Sequence, residues 1–165
     1  MEKNVIITVL METIGADRLE YISGEILNCG TSDCKLSEER GSVYGIAIEL
    51  PEDKKQSFFD NLANKKKGVK AEDWKSIGDN YYPLYWGIDI NMGARLSAHV
   101  KDYIGTGALQ LNNSSIGNLK IIYGAVPCLN RAKHEKTLRD KYPDLLKTIK
   151  KLKNRNYNKW RVKNQ

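Results

Sequence analysis

The sequence predicts a small α/β (α+β) domain: a short mixed or antiparallel central sheet flanked by helices, with an inserted helix between two of its strands. Three observations predict it. Apolar runs of strand length occur at 42–50, 82–90 and 118–127, two of them closed by proline. Segments with helix-start signals and apolar spacing of three to four separate them. The chain has 165 residues, enough for one domain to bury a core without disulfides or metal.

Along the chain, "NVIITVLM" and "LEYISGEIL" each read equally as strand or helix, because short apolar runs have no decisive period. "NCGTSDCKLSEERGS" reads as a loop. "SVYGIAIEL" (42–50) is a strand stopped by Pro51. "PEDKKQSFFDNLANKKK" then predicts a helix, with proline and acids in its first turn and Phe58, Phe59 and Leu62 as its buried stripe. Lys65, Lys66 and Lys67 end that helix and Gly68 caps it. A connector follows, with one helical turn around Trp74. "YPLYWGIDI" (82–90) is the second strand. Asn91 is the expected cap of a helix reaching to about Tyr103, packed through Met92, Leu96 and Val100. "NLKIIYGAVP" (118–127) is the third strand. Asn130 is the expected cap of the next helix, and "YPDLLKTIKKLK" reads as a last helix begun at proline.

The net charge of +7 is uneven. Residues 147–165 hold eight lysines and arginines and no acid, and taking these from the total of 27 leaves 19 against 20 acids. The excess therefore sits in the tail, where Tyr157 and Trp160 are interleaved with cations. Cations of that kind bind phosphates and aromatics stack on bases, so nucleic acid is the expected partner. No stretch approaches the length of a membrane span, and the N-terminal apolar run has no cleavage-like site after it, so no membrane partner and a cytoplasmic location are expected. Three cysteines suit reduced thiols better than a disulfide framework. Cys29, Cys34, Cys128 and His134 include zinc-ligand types, but "CGTSDC" lacks zinc-knuckle spacing.

The candidate chemistry lies behind the second strand. Arg95 and His99 are four apart, so they share one helical face at the border of the packing ridge. Arg95 is a permanent cation with a fork that fits phosphate oxygens, and His99 titrates near neutrality. Gly87 permits close approach of another backbone or a ligand. Glu135 shares an apolar stripe with Leu138 and Tyr142. A half-buried acid there must be paired, protonated or bound to a cation, with Lys133 and Arg139 near enough to pair and Mg²⁺ a suitable hard ion.

Read together, "SVY" (42–44) and "YWGIDINMGARLSAH" (85–99) resemble the paired motifs of the GIY-YIG nuclease superfamily. Tyr85, Gly87, Arg95, Leu96 and His99 keep the family's spacing, with the arginine ten residues after the tyrosine. A strand and a helix bearing Glu135 follow in the family's order, and "TGALQL" (106–111) is similar to a loop of some bacterial and restriction-type members. The resemblance covers about Gly41 to Thr148. Tyr44 and Tyr85 are 41 apart, which implies an insertion at about 51–81 and favours restriction-type members. The first motif reads Ser-Val-Tyr, and Leu146 stands where the family often has asparagine, with Asn154 or Asn156 as substitutes.

The resemblance implies a nuclease domain at 41–148, an N-terminal extension at 1–40 and a basic tail at 149–165. It implies a restriction-type endonuclease hydrolysing double-stranded DNA with Mg²⁺ or Mn²⁺. Its site residues would be Tyr44 (general base), Tyr85 (water binding), Arg95 (transition-state charge), His99 (proton relay) and Glu135 (metal). Lys65, Lys66, Lys67 and Lys70 of the insertion, with Lys150, Lys151, Lys153, Arg155, Lys159 and Arg161 of the tail, are the expected duplex contacts. A homodimer matches palindromic sites. The competing readings are a nucleic-acid-binding protein on the same fold that does not cut, or is structure-selective, and a basic RNA-binding domain.

Overall fold

In the computed structural model, residues 3–15, 20–26, 40–62, 64–93, 95–96, 99 and 119–147 are described. Four strands form one antiparallel sheet: β1 (Ile22–Ile26), β2 (Arg40–Glu49), β3 (Tyr81–Asn91) and β4 (Ile121–Pro127). Their order is β1-β4-β2-β3, so β2 is interior and β3 is an edge. Among the described residues three α-helices with defined bounds accompany them: α1 (Val5–Ile14), α2 (Lys55–Asn61) and α3 (Arg131–Lys141). The coarse expectation, a small antiparallel sheet with helices, describes this architecture.

Both faces of the sheet are covered, which is why "SVYGIAIEL" is apolar throughout instead of alternating. Tyr44, Ile46 and Ile48 of β2 point to one face, where they meet Phe58, Phe59, Trp74, Leu96 and Leu145. Val43 and Ala47 point to the other, where Ile6, Ile7 and Leu10 of α1 and Leu138 of α3 pack. A bulge between Ile46 and Ala47, opposite Tyr85 and Pro83, leaves Leu84 as the extra residue on β3. Pro83 removes a ladder donor, which an edge strand tolerates.

Two ambiguous segments resolve in opposite senses. "NVIITVLM" is helical because Asn4 caps it, its side chain accepting from the Ile7 N–H at 3.1 Å, and because Gly15 closes it at φ 76°. "LEYISGEIL" supplies β1, paired with β4. The extension before Gly41 thus adds a helix and an edge strand to the same sheet. Among the described residues, no helix is long and apolar enough to cross a membrane.

Three local expectations need correction. The helix after Pro51 begins as a 3-10 turn (Glu52–Lys54) and ends at Asn61, short of the three lysines. The chain becomes extended at Leu62, and Lys65 then bridges Leu146. Residues 142–147 are not helical: the N–H groups of Leu145 and Leu146 both donate to the Leu84 carbonyl, at 3.1 and 2.9 Å, and so cover the β3 edge. Asn130 stands at the start of α3 in a left-handed conformation, but its side chain caps nothing.

Candidate active site

The site is built on the face of the sheet that carries Tyr44. Tyr44 lies on interior β2 and Gly87 is its cross-strand partner on β3. A Cβ at Gly87 would stand 2.3 Å from the Tyr44 ring and 2.4 Å from its hydroxyl. The glycine therefore makes room for this tyrosine ring, not for a second backbone. Tyr85, two residues earlier on β3, faces the same side. The Tyr44 and Tyr85 ring centres are 6.2 Å apart, and His99 lies 6.0 Å from the first and 5.3 Å from the second. These three rings form one triangle.

The turn that delivers Arg95 and His99 is held by Asp89, not by Asn91. The fully buried Asp89 carboxylate accepts from the N–H groups of Gly93, Arg95 and Leu96. Arg95 and Leu96 are helical, Leu96 and His99 are completely buried, and Arg95 is exposed at the rim. Met92 and Leu96 pack as expected, while Val100 and Tyr103 lie outside the described residues.

Electrostatics separate the groups. Burial, with Tyr85 and Asp89 adding to it, pushes the Tyr44 phenol well above its usual value. The Arg95 guanidinium acts against that rise, but no hydrogen bond of normal geometry joins it to the Tyr44 hydroxyl. The lowering expected for a general base is absent from the chain by itself. Burial and then the Arg95 charge push His99 down to about 4, so its imidazole is neutral at pH 7. Burial also raises Tyr85, against which Arg139 and Arg95 act. The Tyr44 hydroxyl, both His99 ring nitrogens and the Ser42 hydroxyl are buried, and none has a hydrogen-bond partner among the described residues. Buried polar atoms are costly unless something accepts or donates to them, and those of Tyr44 and His99 lie within the field of one guanidinium, Arg95.

Glu135 lies on helix α3, which packs Leu138 on the opposite face of the sheet and is tied to β3 at two carbonyls. At one end Arg131 Nη1 donates to the Asp89 carbonyl, and at the other Arg139 Nη2 donates to the Trp86 carbonyl at 2.5 Å. Glu135 is four residues from each, so it lies on the same side of the helix as those two anchors. Its side chain is 20% exposed, and its Oε1 accepts from Arg139 Nη1 at 2.6 Å. Oε2 has no partner among the described residues. The sequence pattern places Glu135 at a half-buried position, and pairing with Arg139 is how its charge is met.

The donor set suits one kind of ion. Among the described residues no group of three or more His, Cys, Asp or Glu side chains converges. A single half-buried carboxylate with one free oxygen fits Mg²⁺, which keeps several waters and takes its remaining ligands from phosphate. It does not fit zinc, which needs three or four protein ligands. Cys128 is buried, and Cys29 and Cys34 lie outside the described residues.

The expected duplex contacts divide. Lys65 stacks over the Phe59 ring at 4.4 Å, and Lys66 is ion-paired with buried Asp144. Lys67 and Lys70 are exposed. Lys150, Lys151, Lys153, Arg155, Lys159 and Arg161 lie outside the described residues, as do residues 106–111, Asn154 and Asn156. Sequence reasoning names Arg139 as a partner for Glu135 but misses Asp89 and Asp144 as site residues. Asp89 carries a usable signal, as a cap-type residue at the end of a strand before a helix, but Asn91 is nearer the turn and competes for that reading.

Comparison with models of known families matches none, and no curated protein or solved structure is found similar to the chain.

Proposed function

We propose that this chain is a GIY-YIG-type endonuclease that hydrolyses phosphodiester bonds of double-stranded DNA with Mg²⁺ or Mn²⁺. One observation carries the reading: Tyr44, Tyr85 and His99 form a single ring triangle with Arg95 at its rim, and its buried hydroxyl and imidazole nitrogens are unpartnered among the described residues. The order and spacing of the motifs supply the chemistry for which that arrangement is suited.

In this mechanism a water oxygen forms a bond to phosphorus and the bond from phosphorus to the 3′ oxygen breaks, leaving a 3′-hydroxyl and a 5′-phosphate. Arg95, exposed and permanently charged, binds the phosphate and offsets the charge that grows on it in the transition state. His99 is neutral at pH 7, so an unpartnered ring nitrogen takes the proton of the attacking water and relays it to solvent, and the leaving 3′ oxygen takes up a proton from solvent. Tyr44 retains its proton in the chain alone and orients the water through its hydroxyl. Proton removal by Tyr44, the base role implied by the resemblance, requires added positive charge near its oxygen. Tyr85 completes the water-binding pair. Glu135, whose Oε2 has no partner among the described residues, would hold the ion. The ion, when bound, supplies Lewis-acid stabilisation of the phosphate and leaving oxygen. Lys67, Lys70 and the basic tail add phosphate contacts that give affinity without sequence choice. Restriction-type action on a palindrome calls for two copies of the chain.

Two observations favour the alternative, a nucleic-acid-binding protein that does not cut: the Tyr44 hydroxyl is sealed from solvent and Glu135 is already paired. Supercoiled plasmid incubated with Mg²⁺ separates the two. Nicking or linearisation by wild type and not by Arg95→Ala supports the enzyme; retention of DNA by gel shift with no cutting under any divalent ion supports the binder.

A further inference from the structure

Asp144 is almost fully buried, at 3% exposure, on the non-helical segment after α3. A carboxylate so placed must be matched by donors. Three elements supply them. The Trp86 N–H of β3 donates to Oδ2 at 2.9 Å, Arg139 Nε of α3 donates to the same oxygen at 3.4 Å, and Lys66 of the insertion donates to Oδ1.

Arg139 in turn uses each of its three nitrogens on a different acceptor: Nε on Asp144, Nη1 on Glu135 and Nη2 on the Trp86 carbonyl. Its guanidinium lies 5.4 Å from the Tyr85 ring centre, and the Lys66 ammonium lies 5.7 Å from the same ring. Burial opposes the Arg139 charge, and the carboxylates of Asp144 and Glu135 outweigh that and hold it protonated. A planar fork with three fixed acceptors has no rotational freedom left. It pins Glu135 Oε1 and leaves Oε2 without a partner among the described residues, while the same guanidinium lies over Tyr85.

We propose that Asp144 is a positioning residue of this site, acting through Arg139, which lies over Tyr85, to hold Glu135, and that this pair, not the charge of Arg139 as such, determines where the carboxylate is presented. The inference rests on the nuclease reading. It assigns Lys66 to the same network, so part of the inserted segment serves the site directly.

The test compares Asp144→Asn, Arg139→Gln, Arg139→Lys and the double variant Asp144→Asn/Arg139→Gln with wild type, on a cleavable duplex with Mg²⁺. Single-turnover cleavage rate, duplex Kd and thermal melting are measured on each. Partners that orient a metal-binding side chain typically cost about 10–100-fold when removed, and a rate loss in that range is expected for both single charge-removing variants. Duplex Kd is expected to stay within about two-fold, since neither group contacts phosphate directly. Arg139→Lys restores charge but one nitrogen cannot hold three acceptors, so it should be no faster than Arg139→Gln. The double variant should be no slower than Arg139→Gln alone. An activity-independent arm is the Arg139 Nε–H signal in ¹H–¹⁵N spectra, which should be visible in wild type and lost to exchange in Asp144→Asn. Rescue by Arg139→Lys, multiplicative losses in the double variant, or rate losses no larger than the unfolded fraction overturn the proposal. If wild type itself does not cut, the nuclease reading has failed, and that outcome is distinct from an active wild type whose variants disobey these rules.

Discussion

At Gly87 the space for a side chain is already taken by the Tyr44 ring. Gly87→Ala must displace that ring or the strand, and a loss of about 1–3 kcal/mol is expected from overpacking. Urea denaturation measures it, and the packing of Tyr44 on His99 should be disturbed with it. His99 gives a pH signature. An unfolded histidine titrates near 6.5, and this one is pushed down to about 4. Above pH 6.5 both states are neutral and the full stability is present. As pH falls toward 4 the unfolded chain takes up the proton first, so stability drops, by up to about 3 kcal/mol. Tyr44 and Tyr85 face the imidazole, and burial raises both phenols, away from that window. Asp89, raised by burial, works in the opposite sense, because its protonation favours the folded state. The difference between wild type and His99→Gln isolates the histidine, and denaturant midpoints from pH 7 to 4 should converge for the pair as acid is added. At this scale the sequence discloses residue types well. Tyr44, Tyr85 and His99, which the family resemblance sets together, do meet in space. Asp144 is not, because nothing local marks an aspartate after a proline as the buried hub of three distant elements.

Elements are legible where their pattern is one-sided. The strands at 42–50 and 82–90 are bounded by proline and by polar residues, and each is found within a residue or two. "NVIITVLM" cannot be assigned, because β-branched residues favour strands while its cap and its packing against β4 favour a helix. The segment "YPDLLK" has a helix-start signal at its proline, but the unpaired edge of β3 takes its N–H groups instead. The turn carrying Arg95 shows the same competition: Asn91 and Asp89 are both cap-type residues, and Asp89 wins by bonding three N–H groups. Asp89→Ala is therefore expected to cost about 1 kcal/mol in stability. It should slow cleavage by releasing Arg95, whereas Asn91→Ala should stay within about 0.5 kcal/mol of wild type. Chemical denaturation and single-turnover rates on both variants test this.

For the whole molecule, a sheet covered on both faces leaves its β3 edge as the place where helix α3, the inserted segment and the Arg95 turn come together. A site assembled there draws on residues separated by most of the chain, which is why spacing within one motif is informative and the arrangement between motifs is not. The charge excess lies in the tail, so removal of residues 149–165 should weaken duplex binding. It should also flatten the salt dependence, by a slope of roughly 0.9 for each phosphate that the tail neutralises. The rate at saturating DNA should be retained, and filter binding across salt concentrations with single-turnover cleavage reads both.

The claim on which the account depends is that Tyr44, Tyr85, Arg95, His99 and Glu135 act on one phosphodiester. Cleavage of supercoiled plasmid with Mg²⁺ by wild type and Glu135→Ala, with gel-shift binding of the same DNA, tests it most directly. The account predicts nicked or linear product from wild type, a rate at least about 100-fold lower from Glu135→Ala, and unchanged DNA binding. Equal cutting by both, or none by either, would contradict it.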